Sequence, residues 1–390
     1  MKKRYFKASA PERLEPFELN IGRIFCVIVA FFLVFNILYP SHKFSDKENR
    51  SLKQRPELSF ESVVSGEFFK DFNQYYSDQF AGRNLFMSIS SSVNIIEGKP
   101  EVAGVYFGKK GSMIGQPEKP NEKAVKETAK AINKFDKAMP EIRKYLLLVP
   151  NAAGVQQDRL PADAPVRNQV ADIKNLEKAV KGNTVILDGV TPLKEKNKEY
   201  IYYKTDHHWT SYGAYQVFRK NMKKMEPDTK IYDYRNFLVS DDFRGTLASK
   251  TGRWDKKDDI NVYEPVGCDV RYLVQYPETG HKSTSLFVKK KLDQKDQYQV
   301  FLGGNHGIVD IKTTAKNDRV LMILRDSYAS SYVQFLYPYY SRIVLVDPRY
   351  YYDNLGTAIK TYGVTDMLYL YSGDTIVTDS NLKDALESAC

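Results

Sequence analysis

The sequence predicts an α/β domain built on a mostly parallel sheet, set behind one apolar N-terminal helix. Three observations lead there. From about residue 120 onward, short continuous apolar runs alternate with amphipathic stretches, the pattern of strands buried on both faces and joined by helices. The segment from Ile24 to Tyr39 is uniformly apolar apart from Asn36. Of 390 residues, 42% are hydrophobic, enough for one large domain or two smaller ones with a real core.

The elements follow in order. Residues 1–23 are polar and basic, with Lys2, Lys3, Arg4, Lys7, Arg13 and Arg23, and read as a short cytoplasmic tail. Residues 24–40 read as a transmembrane anchor. The run is just short of the usual span of about 17–25 residues, and Ile21 and Gly22 extend it while Arg23 snorkels. A cleaved signal peptide and a buried soluble helix are the rivals. No small-x-small cleavage site follows the apolar core, and the run is apolar on every side, so an uncleaved anchor is expected. Basic residues flank both ends, Lys43, Lys47, Arg50, Lys53 and Arg55 lying beyond it, so charge alone does not orient the chain.

Residues 41–118 read as a helical neck and a hairpin. Phe68, Phe72, Tyr75 and Tyr76 share one helical face, expected to be core packing. Gly82 ends or kinks that helix. Val105 to Ile114 reads as a hairpin turning between Gly108 and Gly111. The α/β domain is expected over 119–390. A helix opens at Pro120-Asn121-Glu122, a strand lies over Lys144–Pro150, a helix follows until Gly182, and Thr184–Asp188 is the next strand. Thr210 is the expected N-cap of a helix carrying Ala214, Val217, Phe218 and Met222. Residues 226–300 are irregular and read as a long insertion with some hairpins, with Phe243 to Lys250 and Trp254 as candidate cleft-shaping residues. Buried strands are expected at Arg319–Leu324, Arg342–Val346 and Met367–Tyr371, and a helix from Tyr328 to Phe335.

The stretch that carries chemistry is Thr205-Asp206-His207-His208-Trp209, in a chain with five His and two Trp. On an extended segment residues i and i+2 share a face, so Asp206 and His208 are expected side by side, with His207 pointing away. A carboxylate beside an imidazole fixes its tautomer and stabilises the imidazolium. A serine hydroxyl needs such a base, and Ser327 stands downstream in Arg325-Asp326-Ser327-Tyr328. It lies where a parallel strand ends, the edge at which such sheets bind ligands. Asp206, His208 and Ser327 are therefore the candidate acid, base and nucleophile of an acyl-transfer site, and backbone N–H groups at the turn after Ser327 are candidate oxyanion donors.

Asp206-His207-His208-Trp209 resembles the signature of the DHHW protein family. That family is similar to the alginate O-acetyltransferases of the AlgJ and AlgX type, which carry an SGNH-hydrolase-like domain. Glu48-Asn49-Arg50-Ser51-Leu52 with Pro56, and Asp78-Gln79-Phe80 with Arg83, resemble the family's N-terminal pattern. The resemblance implies a three-layer α/β/α SGNH-like domain with Asp206 as triad acid, His208 as base and Ser327 as nucleophile. It makes Gly304 and Asn305 candidate oxyanion or substrate-binding residues, a Gly-Gly-Asn stretch that is equally a hairpin turn. Tyr328 and Arg325 are candidates to line the cleft. It further implies an extracytoplasmic domain, a polysaccharide acceptor and a multispanning membrane acyltransferase that supplies acetyl groups.

Other functions are weighed on the same residues. The charge is +10, but acidic and basic residues interleave with no basic run among aromatics, which argues against nucleic acid and suits an anionic membrane or wall. The three cysteines, Cys26, Cys268 and Cys390, show neither Cys-x-x-Cys nor zinc spacing; whether Cys268 and Cys390 pair is a matter of geometry. No cofactor or metal is expected. A metal-dependent phosphoesterase would use Asp206, His207 and His208 as ligands, but no upstream Asp-x-Asp cluster completes such a set. A non-catalytic envelope scaffold or glycan-binding protein on the same fold is the alternative from another class.

Overall fold

The computed structural model describes residues 16–45, 50–227 and 229–389. It divides into two compact units, Met1–Asp46 with Arg50–Phe86, and Lys47–Asn49 with Met87–Cys390. In the first unit α1 (Pro16–Leu38) contains the apolar run. Its segment Asn20–Leu38 is 19 residues long with a mean hydropathy of 2.5, long and apolar enough to cross a bilayer. The helix begins earlier than expected, at Pro16; residues 1–15 of the expected tail lie outside the described residues.

The same unit holds α2 (Glu67–Gln79), and the first turn of α3 (Arg83–Ile96) follows Gly82, whose φ is +78°. The aromatic stripe on α2 does not form a core, as its position suggested it should. Of its four residues Phe72 and Tyr76 are exposed and Phe68 and Tyr75 only half-buried, and Asp78 is the helix's buried residue. Its carboxylate accepts the Lys53 N–H at 2.8 Å and the Gln74 amide at 3.0 Å. Polar tethers, not apolar burial, hold this helix to the chain before it.

In the second unit the expected hairpin forms between Val105–Phe107 and Met113–Gly115. It packs through Val105 and Met113 on Leu247 and Ala248. Eight strands form the main sheet: β1 (Arg143–Val149), β2 (Val185–Leu187), β3 (Tyr272–Tyr276), β4 (His281–Ser283), β5 (Ile308–Thr313), β6 (Val320–Arg325), β7 (Arg342–Val346) and β8 (Asp366–Ser372). Their order is β4-β3-β5-β7-β6-β8-β1-β2. The pairings from β7 through β2 are parallel, while β4, β3 and β5 add an antiparallel margin. Region 226–300 is thus no simple insertion: its second half supplies β3 and β4. Its first half folds as an antiparallel ribbon, Tyr234–Phe243 with Asp258–Pro265.

Helices cover both faces, and strand alternation assigns the partners. Leu146 and Leu148 of β1 pack with Ile132 and Phe135 of α4 (Glu122–Ala138), Ile173 and Leu176 of α5 (Gln169–Ala179) and others. Tyr145, Leu147 and Val149 face the opposite layer, with Val217, Phe218 and Met222 of α6 (Ser211–Met225). Asn121 and Thr210 cap α4 and α6, accepting the backbone N–H of Ala124 and of Gly213, both at 3.2 Å. Capping of this kind is worth about 1 kcal/mol. The expected helix from Tyr328 to Phe335 is instead a series of 3-10 turns, Ser327–Ser331, Val333–Phe335 and Tyr337–Tyr339. The Ser327 carbonyl there accepts the Tyr298 hydroxyl at 3.2 Å.

A contrast of two leucines tests this layering. Leu148 is 0% exposed between the two layers and Leu238 on the ribbon is 59% exposed. Leu148→Ala is expected to lower unfolding free energy by about 2–5 kcal/mol, and Leu238→Ala to change it little, both read by chemical denaturation of the detergent-solubilised protein.

Candidate active site

The Asp-His segment is held as a loop, pinched by a bridge between Tyr202 and Trp209. The loop is drawn onto one carboxylate. Asp258 accepts the Tyr200 hydroxyl at 2.6 Å, the Lys204 N–H at 2.8 Å, and the Thr205 N–H and hydroxyl at 2.7 and 2.6 Å. Burial raises the Asp258 carboxyl above its ordinary range, and these donors only partly offset that.

Asp206 and His208 do lie side by side, but not by strand alternation. The His208 N–H donates to Asp206 Oδ1 at 3.0 Å, a short turn closed by the aspartate side chain. The same oxygen accepts His208 Nδ1–H at 2.6 Å. Asp206 Oδ2 accepts the Thr246 N–H at 2.8 Å and its hydroxyl at 3.1 Å. Burial alone would raise the Asp206 carboxyl; the two neighbouring imidazoles and these donors outweigh it and hold the group well below the ordinary carboxylate range. Its stabilising contribution is therefore present above the ordinary carboxylate pKa and is lost only as pH falls beneath that range.

The other imidazole nitrogen reaches the second segment. With Nδ1 protonated, His208 Nε2 accepts the Ser327 hydroxyl at 2.7 Å, across 119 positions of sequence. Asp326 anchors the serine turn, accepting the Tyr328 N–H at 3.0 Å and the Ser372 N–H at 2.9 Å. Two further bonds stitch the segments together: Trp209 Nε1–H to the Tyr328 carbonyl at 3.0 Å, and the Tyr328 hydroxyl to the His207 carbonyl at 2.6 Å. The structure thus brings Asp206, His208 and Ser327 into one line of hydrogen bonds.

That line opens into a cleft of about 260 Å³ bordered by Tyr298, Gln299, Gly304, Asn305, Ser330 and Arg349 among others. Gly304 adopts φ +116°, a conformation reserved for glycine. Leu302 and Gly303 are also left-handed, but the stretch is not a hairpin turn, because Phe301 before it bridges Phe287 while β5 after it pairs with β3 and β7. The Asn305 amide donates to the Tyr350 hydroxyl at 3.3 Å. Two of the expected cleft residues do not line it. Arg325 ends β6 with its side chain turned inward, 0% exposed, and donates to Ser330 Oγ at 2.9 Å. Tyr328 is buried, with both its N–H and its hydroxyl committed as described. Both support the site from beneath. His207 does not point away either: its ring centroid lies 3.8 Å from that of His208, and its Nδ1 shares a 2.7 Å hydrogen bond with Thr246 Oγ1.

Asp206, His207 and His208 offer ligand atoms within 4.8 Å of one another. As a metal set they fit poorly, since both Asp206 oxygens already accept N–H or O–H donors and His208 Nδ1 is one of those donors.

Several contributors were not legible beforehand. Tyr298 stacks on His208 with centroids 3.8 Å apart and planes 10° off parallel. Its hydroxyl donates to the Ser327 carbonyl and contacts Ser331 Oγ, each at 3.2 Å. Burial pushes the Tyr298 phenol above its ordinary range, so it remains a donor. Arg349 enters the cleft wall while paired to Asp347 at 2.9 and 2.7 Å. Thr246 and Gly245 fall within Phe243 to Lys250, the stretch expected to shape the cleft, and Thr246 does border it. No local pattern ties any of them to the Asp-His segment.

Gly245 offers a sharp test. Its φ is unremarkable at −84°, but a Cβ there would stand 2.2 Å from Asp206 Cβ and 2.3 Å from Oδ2. Gly245→Ala should therefore displace the carboxylate without straining the backbone. A misplacement near 1 Å costs about a hundredfold in rate; the labelling rate of Ser327 by a serine-directed fluorophosphonate is expected to fall by that order, with the far-ultraviolet circular dichroism unchanged.

Comparison with known proteins is consistent with this geometry. Residues 112–287 match the family model described as SGNH hydrolase-like domain, acetyltransferase AlgX. That segment contains Asp206 and His208 and ends before Ser327. The chain is similar in structure to a DHHW family protein from Eubacterium siraeum, at 22% identity and a TM-score of 0.61, covering 74% of this chain and 96% of that one. It is also similar to Bacillus cereus PatB1 solved with a sulfonyl adduct, at 16% identity and a TM-score of 0.59, covering 71% and 97%. No curated protein matches in sequence. The comparisons agree with the resemblance drawn from Asp206-His207-His208-Trp209: the chain has an SGNH-like α/β fold, and it is similar to the DHHW and AlgX proteins.

Proposed function

We propose that this chain is a membrane-anchored, extracytoplasmic carbohydrate O-acetyltransferase or acetylesterase that works through Ser327, His208 and Asp206. The observation that supports it most directly is the pair of hydrogen bonds at 2.6 and 2.7 Å that join acid to base and base to hydroxyl at the floor of an open cleft. The acetyltransferase description of the matched family model supports the acyl-transfer class.

In this reading Ser327 Oγ attacks the carbonyl carbon of an acetyl ester while its proton passes to His208 Nε2. Asp206 stabilises the imidazolium so formed. The oxyanion is held by the backbone N–H groups of Ser327 and Gly304 and by the Asn305 amide; the Tyr328 N–H is excluded because Asp326 already binds it. The imidazolium then protonates the leaving alcohol, and an acetyl-serine remains. A sugar hydroxyl, deprotonated by His208, attacks the acetyl-serine and regenerates the serine; water does the same in an esterase. The acceptor would be a cell-surface or exported polysaccharide, and a multispanning membrane acyltransferase would deliver acetyl groups to a domain tethered by α1.

Ser327→Ala is expected to lower turnover of an acetyl ester such as 4-nitrophenyl acetate by about 10³-fold or more, and to abolish labelling by a sulfonyl fluoride or fluorophosphonate. His208→Ala should lose as much, and the double variant little more than either alone, because residues of one relay act as a unit. Unchanged hydrolysis by Ser327→Ala would instead leave a scaffold or glycan-binding role for the fold.

A further inference from the structure

The first compact unit carries an apolar surface that the catalytic reading does not use. Along residues 20–38 of α1 every side chain is exposed except Phe32 and Asn36, which lie one turn apart. What covers them is the segment after α2. The Ala81 N–H donates to Asn36 Oδ1 at 2.7 Å, and the Phe86 ring meets Phe32 edge-on at 6.1 Å. Asn36 completes its own needs by donating to the Phe32 carbonyl at 2.9 Å. Within this unit, then, the turn at residues 80–86 is fixed to the last turns of α1.

The depth of that contact decides its surroundings. Phe32 stands six positions before Leu38, the end of the apolar segment, or about 9 Å along the axis at about 1.5 Å per residue. A segment fastened there cannot lie in bulk water if α1 crosses a bilayer. Its composition agrees. Leu85 is 62% exposed and Phe86 43% exposed. Ring contacts continue outward from Phe32 through Phe86 to Phe80 at 5.5 Å and on to Tyr76 at 6.0 Å. Aromatic side chains of this sort gather at the boundary between headgroups and acyl chains.

We propose that the turn at residues 80–86, led by Phe80, Leu85 and Phe86, is seated in the lipid leaflet beside the C-terminal end of α1. The polypeptide would thus touch the bilayer twice, once through the span and once through this wedge. The unmet apolar surface at Leu85 and Phe86 is filled by acyl chains, not by a second copy of the chain or another protein. Asn36 is the device that makes this possible, because the free N–H of a turn cannot be left unpaired at that depth. The inference rests on α1 being a bilayer span.

The test uses the full-length chain in phosphatidylcholine and phosphatidylglycerol vesicles, in a Cys26→Ser, Cys268→Ser, Cys390→Ser background. Single cysteines are introduced as Phe86→Cys, Leu85→Cys, Ile28→Cys within the span and Lys282→Cys on the exposed sheet margin, each labelled with an environment-sensitive fluorophore. Labels at 85 and 86 are expected to be blue-shifted, and quenched by lipid-borne nitroxide several-fold more strongly than the label at 282. Leu85→Cys keeps the ring cluster whole, so it reads the site even if Phe86→Cys loosens it. If the label at 28 is quenched by lipid while those at 85 and 86 respond to aqueous iodide like that at 282, the wedge is refuted and the anchor stands. Labels at 85 and 86 shielded from both quenchers would mean a protein occupant and would equally overturn it. A label at 28 that lipid does not quench removes the anchor, and the wedge with it.

Discussion

Everything at the site depends on how the Asp206 carboxylate is satisfied. One oxygen takes the backbone and ring N–H groups of His208, and the other takes both donors of Thr246. A buried carboxylate with fewer donors would gain a proton or seek another partner. Here four donors keep it anionic and fix its plane, and the plane fixes the imidazole. Residues behind the cleft lining serve the same end. Asp258 shapes the loop that presents Asp206, and Gly245 leaves the room that its side chain occupies.

The sheet explains why the two halves of the site can be so distant in sequence. Parallel strands bring their carboxyl ends to one edge. Ser327 leaves the end of β6, and Asp326 locks that turn to the end of β8 through the Ser372 N–H. The two helical layers leave this edge uncovered, and the loop from Tyr200 to Trp209 closes over it. Tyr298, from the connection between β4 and β5, then lays its ring against the base.

Much of this was legible in the chain, for reasons that differ by residue. The runs at 144–150, 319–324, 342–346 and 367–371 mark central strands because burial on both faces leaves no room for polar alternation. Thr210 and Asn121 mark helix starts because an exposed N–H needs a side-chain acceptor. Asp206, His208 and Ser327 stood out by chemistry and by resemblance to the DHHW group. The rest depends on contacts that leave no local pattern. β3 and β5 were not recognised because antiparallel margin strands mix Gln, Asp and Lys with their apolar residues. The aromatic stripe on α2 looked like core because periodicity records a face, not what lies against it. Arg325 and Tyr328 looked like cleft residues because they flank Ser327, yet strand alternation and a tight turn send both side chains inward.

Trp209 has a consequence of its own. Its indole is wholly buried, it donates across the sheet edge to the carbonyl after Ser327, and it stacks on Tyr332 at 5.8 Å. The neighbour of the base is therefore also a structural pin for the nucleophile. Heat or denaturant cannot free the loop while leaving the serine turn intact, since each is part of the other's packing. Partial opening short of cooperative melting would not yield a half-assembled relay, and the hydroxyl would lose its reactivity in the same transition that exposes the indole to water.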